Sequence, residues 1–242
     1  YMPKVYLCSF ASSDLDLSVK RFLKQAEALE FFEDIKIFRP ENLTTELNLR
    51  IKHFNYPIKK MRLYGYACWK PYIVDKYFQE ISDDSIILYA DIGVHFNKSG
   101  LEKLNNYVKI CEEKNALVFQ YFKPTWGSKY EKFKFQEYFE YEYTKSETWK
   151  FMKLEKDSKI LNSEQIWSGC FFLKKNNFSK NIISEWLKLS KIDNMLDDVI
   201  KFNLHEKFKG HRHDQSIFSL LCKKNNVFAL SASECEWAVL NN

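Results

Sequence analysis

Short apolar runs alternate with segments of helical spacing along most of this chain, and this alternation restricts the fold more than any other feature. Apolar runs predict strands at residues 5–10, 35–38, 85–89, 116–122, 165–174 and 227–230. Helical spacing predicts helices over residues 14–31, 44–60, 69–81, 99–114, 179–189 and 211–224. Strands separated by helices favour an α/β fold with a mostly parallel sheet flanked by helices. Because no internal repeat or low-complexity linker divides the 242 residues, we predict a single domain.

Charge and hydropathy narrow the classes of function. The net charge of +5 is a mild excess spread along the chain, so nucleic-acid binding is not predicted. No uninterrupted run of 18 apolar residues is present, and the chain does not begin with the pattern of a secretory leader. We therefore predict a cytoplasmic protein, whose positive charge is compatible with peripheral association at the inner face of the membrane.

The six cysteines form no C-x-x-C pair, which predicts buried thiols rather than a zinc knuckle or a disulfide framework.

The buried strand predicted at residues 85–89 has a carboxylate at its C-terminal end, because it is followed by Ala90, Asp91, Ile92 and Gly93. In open parallel sheets, ligands bind beyond the carboxyl ends of the strands. Asp91 is therefore placed to meet a metal-bound diphosphate or a ribose hydroxyl. The alternative is an aspartate that only caps a turn.

A second segment, YGYACWKP at residues 64–71, combines aromatic rings with a glycine and a lysine. Aromatic rings suit stacking on a planar base, and Lys70 at a helix start could join backbone N–H groups in holding phosphate. The simpler interpretation is that Trp69 and Pro71 only pack at the start of a helix.

A third segment places two imidazoles, a guanidinium and a carboxylate within residues 211–215, HRHDQ. Packing alone hardly explains this density, because every buried polar group needs a partner. A solvated helix cap is one alternative. Another is a metallohydrolase that uses His211, His213 and Asp214, although such a site needs further histidines that form no second cluster in this chain.

In their order, these segments resemble GT-A glycosyltransferases, particularly bacterial capsule and lipopolysaccharide sugar transferases related to the family-8 type. Residues 91–93, DIG, lie where those enzymes carry an Asp-x-Asp motif. Residues 166–173, IWSGCFFL, look like their Asn-Ser/Ala-Gly-hydrophobic strand, and residues 214–218, DQSIF, look like their Asp-Gln-Asp-hydrophobic helix start. Tyr66 with residues 69–71, WKP, is similar to an element found ahead of the Asp motif. The resemblance spans residues 3–230.

The resemblance implies one GT-A domain over residues 1–242, with a Rossmann-like sheet and the activity of a nucleotide-sugar-dependent glycosyltransferase of the hexosyltransferase class. The implied donor is a UDP-sugar, and the implied acceptor is a saccharide or lipid-linked molecule in surface polysaccharide synthesis. Asp214 and Asp91 are the implied catalytic residues. The implied donor-binding residues are Ser9, Phe10, Ala11, Arg62, Tyr66, Trp69, Lys70, Asp91, Gly93, Ser168, Gly169 and Gln215.

The aromatic segment at residues 121–151 breaks the alternation of strands and helices. Loops that depart from a scaffold tend to carry specificity, so we predict that this insertion binds the acceptor through Trp126 and Tyr130. The competing hypothesis is a non-catalytic carbohydrate-binding protein, because aromatic faces also stack on sugar rings.

Gly93 stands where the Asp-x-Asp motif has its second aspartate, which leaves one strong oxygen ligand where two are usual. A divalent cation, Mn²⁺ or Mg²⁺, would then need His211 or His213 beside Asp91, a mixed set that Mn²⁺ accepts. Without a metal, Lys70, Arg62 and Arg212 would have to offset the charge of the leaving diphosphate. The sequence leaves both hypotheses open.

Overall fold

The computed structural model describes residues 3–54, 63–123, 136–156 and 158–235, except for the side chain of Ser158. The strands of this part are β1 (Val5–Phe10), β2 (Asp34–Phe38), β3 (Ile86–Ala90), β4 (Ala116–Gln120), β5 (Ile166–Lys174) and β6 (Ala229–Ser231). The helices are α1 (Asp16–Glu27), α2 (Thr45–Phe54), the single turn α3 (Leu63–Tyr66), α4 (Lys70–Glu80), α5 (Leu101–Lys114), α6 (Glu140–Tyr143), α7 (Ser146–Phe151), α8 (Ser158–Leu161), α9 (Asn177–Ser190), α10 (Asp193–Leu196) and α11 (His213–Lys224).

The chain divides into two compact units. Unit 1 comprises residues 1–117 and 169–191, and unit 2 comprises residues 118–168 and 192–242. Strands β4 and β5 contribute residues to both. No helix in the described part of the chain is long and apolar enough to cross a membrane.

Unit 1 is built on strands in the order β2-β1-β3-β5. Strand β1 pairs in parallel with β2 and with β3, whereas β5 runs antiparallel to β3. All five residues of β3 are buried, as expected for an interior strand that is covered on both faces. Helices α4 and α5 pack on this strand, and α4 also packs on α9. The carboxyl ends of β1 and β3 therefore lie side by side, at residues 10 and 90.

Local sequence explains how the helices of unit 1 begin and end. Helix α4 has Pro71 in its first turn, where a missing N–H group costs nothing. Helix α9 begins after Asn176, whose side chain accepts a hydrogen bond from the Ser179 N–H group. Helix α5 ends at Asn115 in a left-handed conformation, with φ 69°.

Unit 2 is built around α11, in which the ten residues 213–222 are all buried. A helix that is buried all round carries its polar side chains into the protein interior, so each of them needs an internal partner. The short helix α10 packs on both α11 and α7, and β4 pairs in parallel with β6.

The predicted fold class is confirmed, because parallel pairing predominates among the described strand pairs and helices flank the strands. Each predicted strand and helix is present, and most ends agree within two or three residues. The helix predicted at residues 44–60 is described as far as Phe54. The insertion predicted at residues 121–151 contains the short helices α6 and α7, and its role stays a prediction. Cys8, Cys111 and Cys222 are buried, as predicted for thiols, and burial raises the pKa of each.

Candidate functional site

Asp91 lies directly after β3, at the carboxyl end of an interior strand of unit 1. Its N–H group donates to the Gly169 carbonyl oxygen at 2.8 Å, and its own carbonyl oxygen accepts from the Val94 N–H group at 2.8 Å. The Asp91 side chain is 44% exposed. The backbone is thus fixed on both sides, and the carboxylate is open to solvent.

The Lys70 ammonium faces this carboxylate at the start of α4. Lys70 Nζ lies 3.3 Å from Asp91 Oδ1, and the Lys70 side chain is only 4% exposed. The Tyr89 hydroxyl donates to the same Oδ1 atom at 2.6 Å, and the ammonium lies 5.0 Å from the centroid of the Tyr89 ring. We name these three residues, Lys70, Tyr89 and Asp91, the Lys70 site.

The charge arrangement of the Lys70 site is a buried cation beside a carboxylate that reaches solvent. A buried ammonium group is stable only beside negative charge or hydrogen-bond acceptors, and here it faces the half-exposed carboxylate of Asp91. The start of α4 adds the positive end of a helix dipole. The Lys70 ammonium is therefore desolvated and held in place beside Asp91.

Arg21 on α1 fixes the loop that follows Asp91. Its guanidinium donates to the carbonyl oxygens of Ile92 at 2.6 Å and Val94 at 2.7 Å, and to Gln25 Oε1 at 3.0 Å. Gln25 Oε1 in turn accepts from the Phe96 N–H group at 3.3 Å. Arg21 is not predictable from the sequence, because a basic residue on a helix carries no sign that it binds a distant backbone.

The predicted donor-binding residues Ser9, Phe10 and Ala11 are all buried. The Ser9 hydroxyl donates to the Ala90 carbonyl oxygen at 2.6 Å, and the Ala11 N–H group donates to Phe38 at 3.0 Å. Phe10 stacks on Trp69 with 3.9 Å between ring centroids. These residues do not face solvent. Ser9 and Phe10 contact Ala90 and Trp69, the residues directly before Asp91 and Lys70.

Of the other predicted donor-binding residues of unit 1, Tyr66 packs on an aromatic ring and Gly93 is exposed. Tyr66 packs against Phe54 at 5.3 Å, whereas Tyr64 packs against Phe10 at 5.6 Å between centroids. Gly93 is exposed, and a Cβ atom placed on it would have nothing within 4 Å. Arg62, and the predicted acceptor residues Trp126 and Tyr130 of unit 2, lie outside the described residues.

Asp214 lies in the first turn of α11 in unit 2, as the sequence predicted, and is 2% exposed. Its Oδ2 atom accepts a hydrogen bond from the Ser168 hydroxyl at 2.9 Å. His213, the residue before it, has φ 52°, a left-handed conformation that costs about 1 kcal/mol or more for a residue with a side chain. The strained helix start and the serine together fix the carboxylate.

A series of hydrogen bonds links Ser168 to buried polar side chains of unit 2. Gln215 Nε2 donates to Gln165 Oε1 at 2.9 Å, and Gln215 Oε1 accepts from the Ser168 N–H group at 3.5 Å. Gln165 Nε2 reaches Glu140 Oε2 at 3.3 Å, and Glu140 forms a buried ion pair with Lys223 at 2.7 Å. Gln165 and Glu140 are not predictable as site residues from the sequence, because their partners lie far away along the chain.

The predicted metal ligands differ in their hydrogen bonds: both ring nitrogens of His211 are engaged, whereas the contact of His213 through Nδ1 leaves the lone pair of that ring on Nε2. His211 Nε2 lies 2.8 Å from the Met195 carbonyl oxygen and must carry the proton, while its Nδ1 accepts from the Lys145 N–H group at 3.4 Å. His213 Nδ1 lies 2.6 Å from the Leu196 carbonyl oxygen. Asp91 Oδ1 already faces an ammonium group and a hydroxyl. No cluster of three or more His, Cys, Asp and Glu side chains that could hold a metal ion occurs among the residues that the structure describes.

Comparison with known proteins gives structural similarity only. No protein family and no curated protein matches the sequence. A glycosyltransferase involved in the glycosylation of the major capsid of PBCV-1 is 11% identical, with a TM-score of 0.40 over 78% of this chain and 67% of that chain. Mouse xyloside xylosyltransferase 1 is 12% identical, with a TM-score of 0.45 over 94% and 84%. GlyE of Streptococcus pneumoniae TIGR4, also a glycosyltransferase, is 12% identical, with a TM-score of 0.39 over 96% and 46%.

Proposed function

We propose that this chain is a GT-A glycosyltransferase that transfers a sugar from a nucleoside diphosphate donor, a UDP-sugar, to a saccharide or lipid-linked acceptor in surface polysaccharide synthesis. The observation that carries the proposal is the buried Lys70 ammonium, which faces the half-exposed Asp91 carboxylate at the carboxyl end of an interior strand. Such strand ends are where open α/β sheets bind nucleotides. An acceptor site within residues 121–151 belongs to the same proposal.

Glycosyl transfer breaks the bond between the anomeric carbon and the diphosphate oxygen, and it forms a bond from that carbon to an acceptor hydroxyl oxygen. Negative charge develops on the departing diphosphate, and Lys70 is placed to stabilise it. The acceptor hydroxyl gives up its proton to a base or to solvent. Asp214 is our candidate for the carboxylate on the sugar side, which orients sugar hydroxyls or receives that proton.

The test is ligand binding followed by transfer. In a panel of nucleoside diphosphates and nucleotide sugars, at least one should raise the melting temperature, since a ligand at 100 times its dissociation constant adds about 2.7 kcal/mol of stability. Labelled donor should then lose its sugar to water or to an acceptor. Stabilisation without turnover would favour the non-catalytic carbohydrate-binding alternative, and no stabilisation by any nucleotide would overturn the proposal.

We further propose that the Lys70 ammonium, in place of a divalent cation, offsets the charge of the leaving diphosphate. Gly93→Asp provides the test, because it adds the second carboxylate at an exposed position with open space around its Cβ atom. The variant should fold normally but bind nucleoside diphosphate about fivefold more weakly in a chelator, since like charges repel at this range. Mn²⁺ should restore its affinity and should leave wild-type affinity unchanged. A wild-type protein that requires Mn²⁺ would contradict the proposal.

The metallohydrolase alternative is not supported. It requires several ligands around each metal ion, whereas the described residues contain no group of three or more His, Cys, Asp and Glu side chains that could hold one. Both ring nitrogens of His211 are engaged by the Met195 carbonyl oxygen and the Lys145 N–H group. The third residue of that hypothesis, Asp214, accepts a hydrogen bond from the Ser168 hydroxyl.

The expected peripheral association also remains a proposal, and one surface of unit 2 supports it. The loop after α10 exposes three apolar side chains, with Val199 52%, Ile200 51% and Phe202 53% exposed. Lys201 is exposed within this loop, and Lys150 Nζ lies 4.5 Å from the centroid of the Phe202 ring. Apolar side chains accompanied by lysines suit the surface of an anionic bilayer, where each lysine adds about 1 kcal/mol.

Buried polar groups hold this loop in place. The fully buried Lys145 donates to the carbonyl oxygens of residues 197 and 199, and Glu147 accepts from the N–H groups of residues 201 and 202. Replacing Val199, Ile200 and Phe202 by Ser should release the protein from sedimenting phosphatidylglycerol vesicles, while the matched change of the exposed Leu17 and Leu49 in unit 1 should not. A wild-type protein that stays in the supernatant would overturn this part.

A further inference from the structure

Five consecutive residues before α4 adopt left-handed backbone conformations. The φ angles are 52° at Leu63, 47° at Tyr64, 74° at Gly65, 56° at Tyr66 and 56° at Ala67. The Ala67 N–H group donates to the Leu63 carbonyl oxygen at 3.1 Å, so the segment closes as one turn of a left-handed helix. We name residues 63–67, which comprise the single turn α3 and Ala67, the left-handed turn.

Residues with side chains enter this conformation singly, because each one brings its Cβ atom too close to the next carbonyl group. A run of them persists only where the surroundings determine it, and such strain gathers at functional sites. Here Trp69 Nε1 donates to the Tyr64 carbonyl oxygen at 3.0 Å. Gly65 is required, because a Cβ atom on it would lie 2.8 Å from Ile51 Cγ1 and 3.1 Å from the Ile51 Cα atom.

The left-handed turn brings the Tyr64 ring to the end of β1. Tyr64 is tilted by 40° against Phe10, which is itself stacked on Trp69. Phe10 and Trp69 are buried, with 4% and 6% of their surfaces exposed, whereas Tyr64 is partly exposed. Tyr64 is therefore the outermost of three contacting rings. Lys70 follows Trp69 directly, and its ammonium lies 5.9 Å from the centroid of the Trp69 ring.

We propose that Tyr64 is the platform on which the base of the nucleotide stacks, while Lys70 holds the diphosphate. The inference rests on the proposed function, since it assigns the planar, heteroaromatic end of the same ligand. A partly exposed ring backed by two buried rings offers a rigid π-face, and stacking on such a face tolerates any base. Burial raises the pKa of the Tyr64 hydroxyl, which stays protonated and can also donate a hydrogen bond to the ligand.

The test compares ligands with and without a base. We would titrate UDP, CDP, ADP, GDP and inorganic pyrophosphate into the wild type and into Tyr64→Leu, which keeps apolar packing on Phe10 but removes the π-face. At least one nucleoside diphosphate should bind the wild type more tightly than pyrophosphate. Tyr64→Leu should weaken that binding by between about 5-fold and 100-fold and leave pyrophosphate affinity unchanged.

Two controls separate stacking from support of the turn. Tyr64→Phe should keep most of the nucleotide affinity, and Tyr107→Leu should keep all of it, because Tyr107 is a partly exposed tyrosine of α5 that packs against Phe172 instead. Equal loss of nucleotide and pyrophosphate binding in Tyr64→Leu would show that the ring only supports Lys70, and it would overturn the inference. A wild type that binds pyrophosphate as tightly as every nucleotide would also overturn it. A wild type that binds none of these ligands would refute the proposed function itself.

Discussion

Asp214→Asn is expected to lower turnover of the donor by a factor on the order of 10² or more, while the fold and nucleotide affinity are kept. Asparagine has the size of aspartate, can still accept the hydrogen bond from the Ser168 hydroxyl, and serves a helix N-terminus about as well. What it lacks is the negative charge that orients or deprotonates a sugar hydroxyl. The melting temperature should therefore stay within about 3 °C of the wild type.

The matched control is Glu206→Gln, which removes the same charge from an exposed position in the same unit. It should leave turnover unchanged. Initial rates with a labelled nucleotide sugar, measured beside thermal melting for both variants, decide between catalysis and capping. If Asp214→Asn kept wild-type turnover, Asp214 would be only a structural residue of α11.

Lys70→Met should have the second largest effect, a loss of nucleoside diphosphate affinity of about 10-fold to 100-fold, because a charge-assisted contact with phosphate disappears. Stability should hardly fall. Asp91 is half-exposed and remains hydrated without its partner, and methionine fills the buried volume without the desolvation penalty of an ammonium group. Binding energy and folding energy thus respond differently to one substitution, as is typical of functional residues.

Lys76→Met on the same helix is the control, because Lys76 lies further along α4 and donates to the Asn42 carbonyl oxygen. Calorimetric titration with a nucleoside diphosphate at two salt concentrations should show a weaker salt dependence for Lys70→Met and an unchanged one for Lys76→Met. A large fall in melting temperature with undiminished affinity would identify Lys70 as a structural ion-pair partner.

Local patterns in the sequence predicted the scaffold well and the site in part. Strand β3 is an apolar run, so its carboxyl end and Asp91 could be located from the sequence. Tyr89 could have been found as well, because residues two apart on a strand share a face. The left-handed turn could not have been predicted, because Gly65 is its one local signal while four residues with side chains adopt the same conformation. Arg21 bonds to a backbone more than 70 residues away, and nothing near Arg21 in the sequence signals this.

The open space around Gly93 has an evolutionary consequence. A glycine codon becomes an aspartate codon by a single base change, and at this position the new side chain would meet no steric barrier. An ancestral carboxylate could have been lost here, or a new one gained, without any repacking of the protein. On the proposed function, the buried Lys70 ammonium would still face the diphosphate after such a change, because its charge does not depend on the supply of metal.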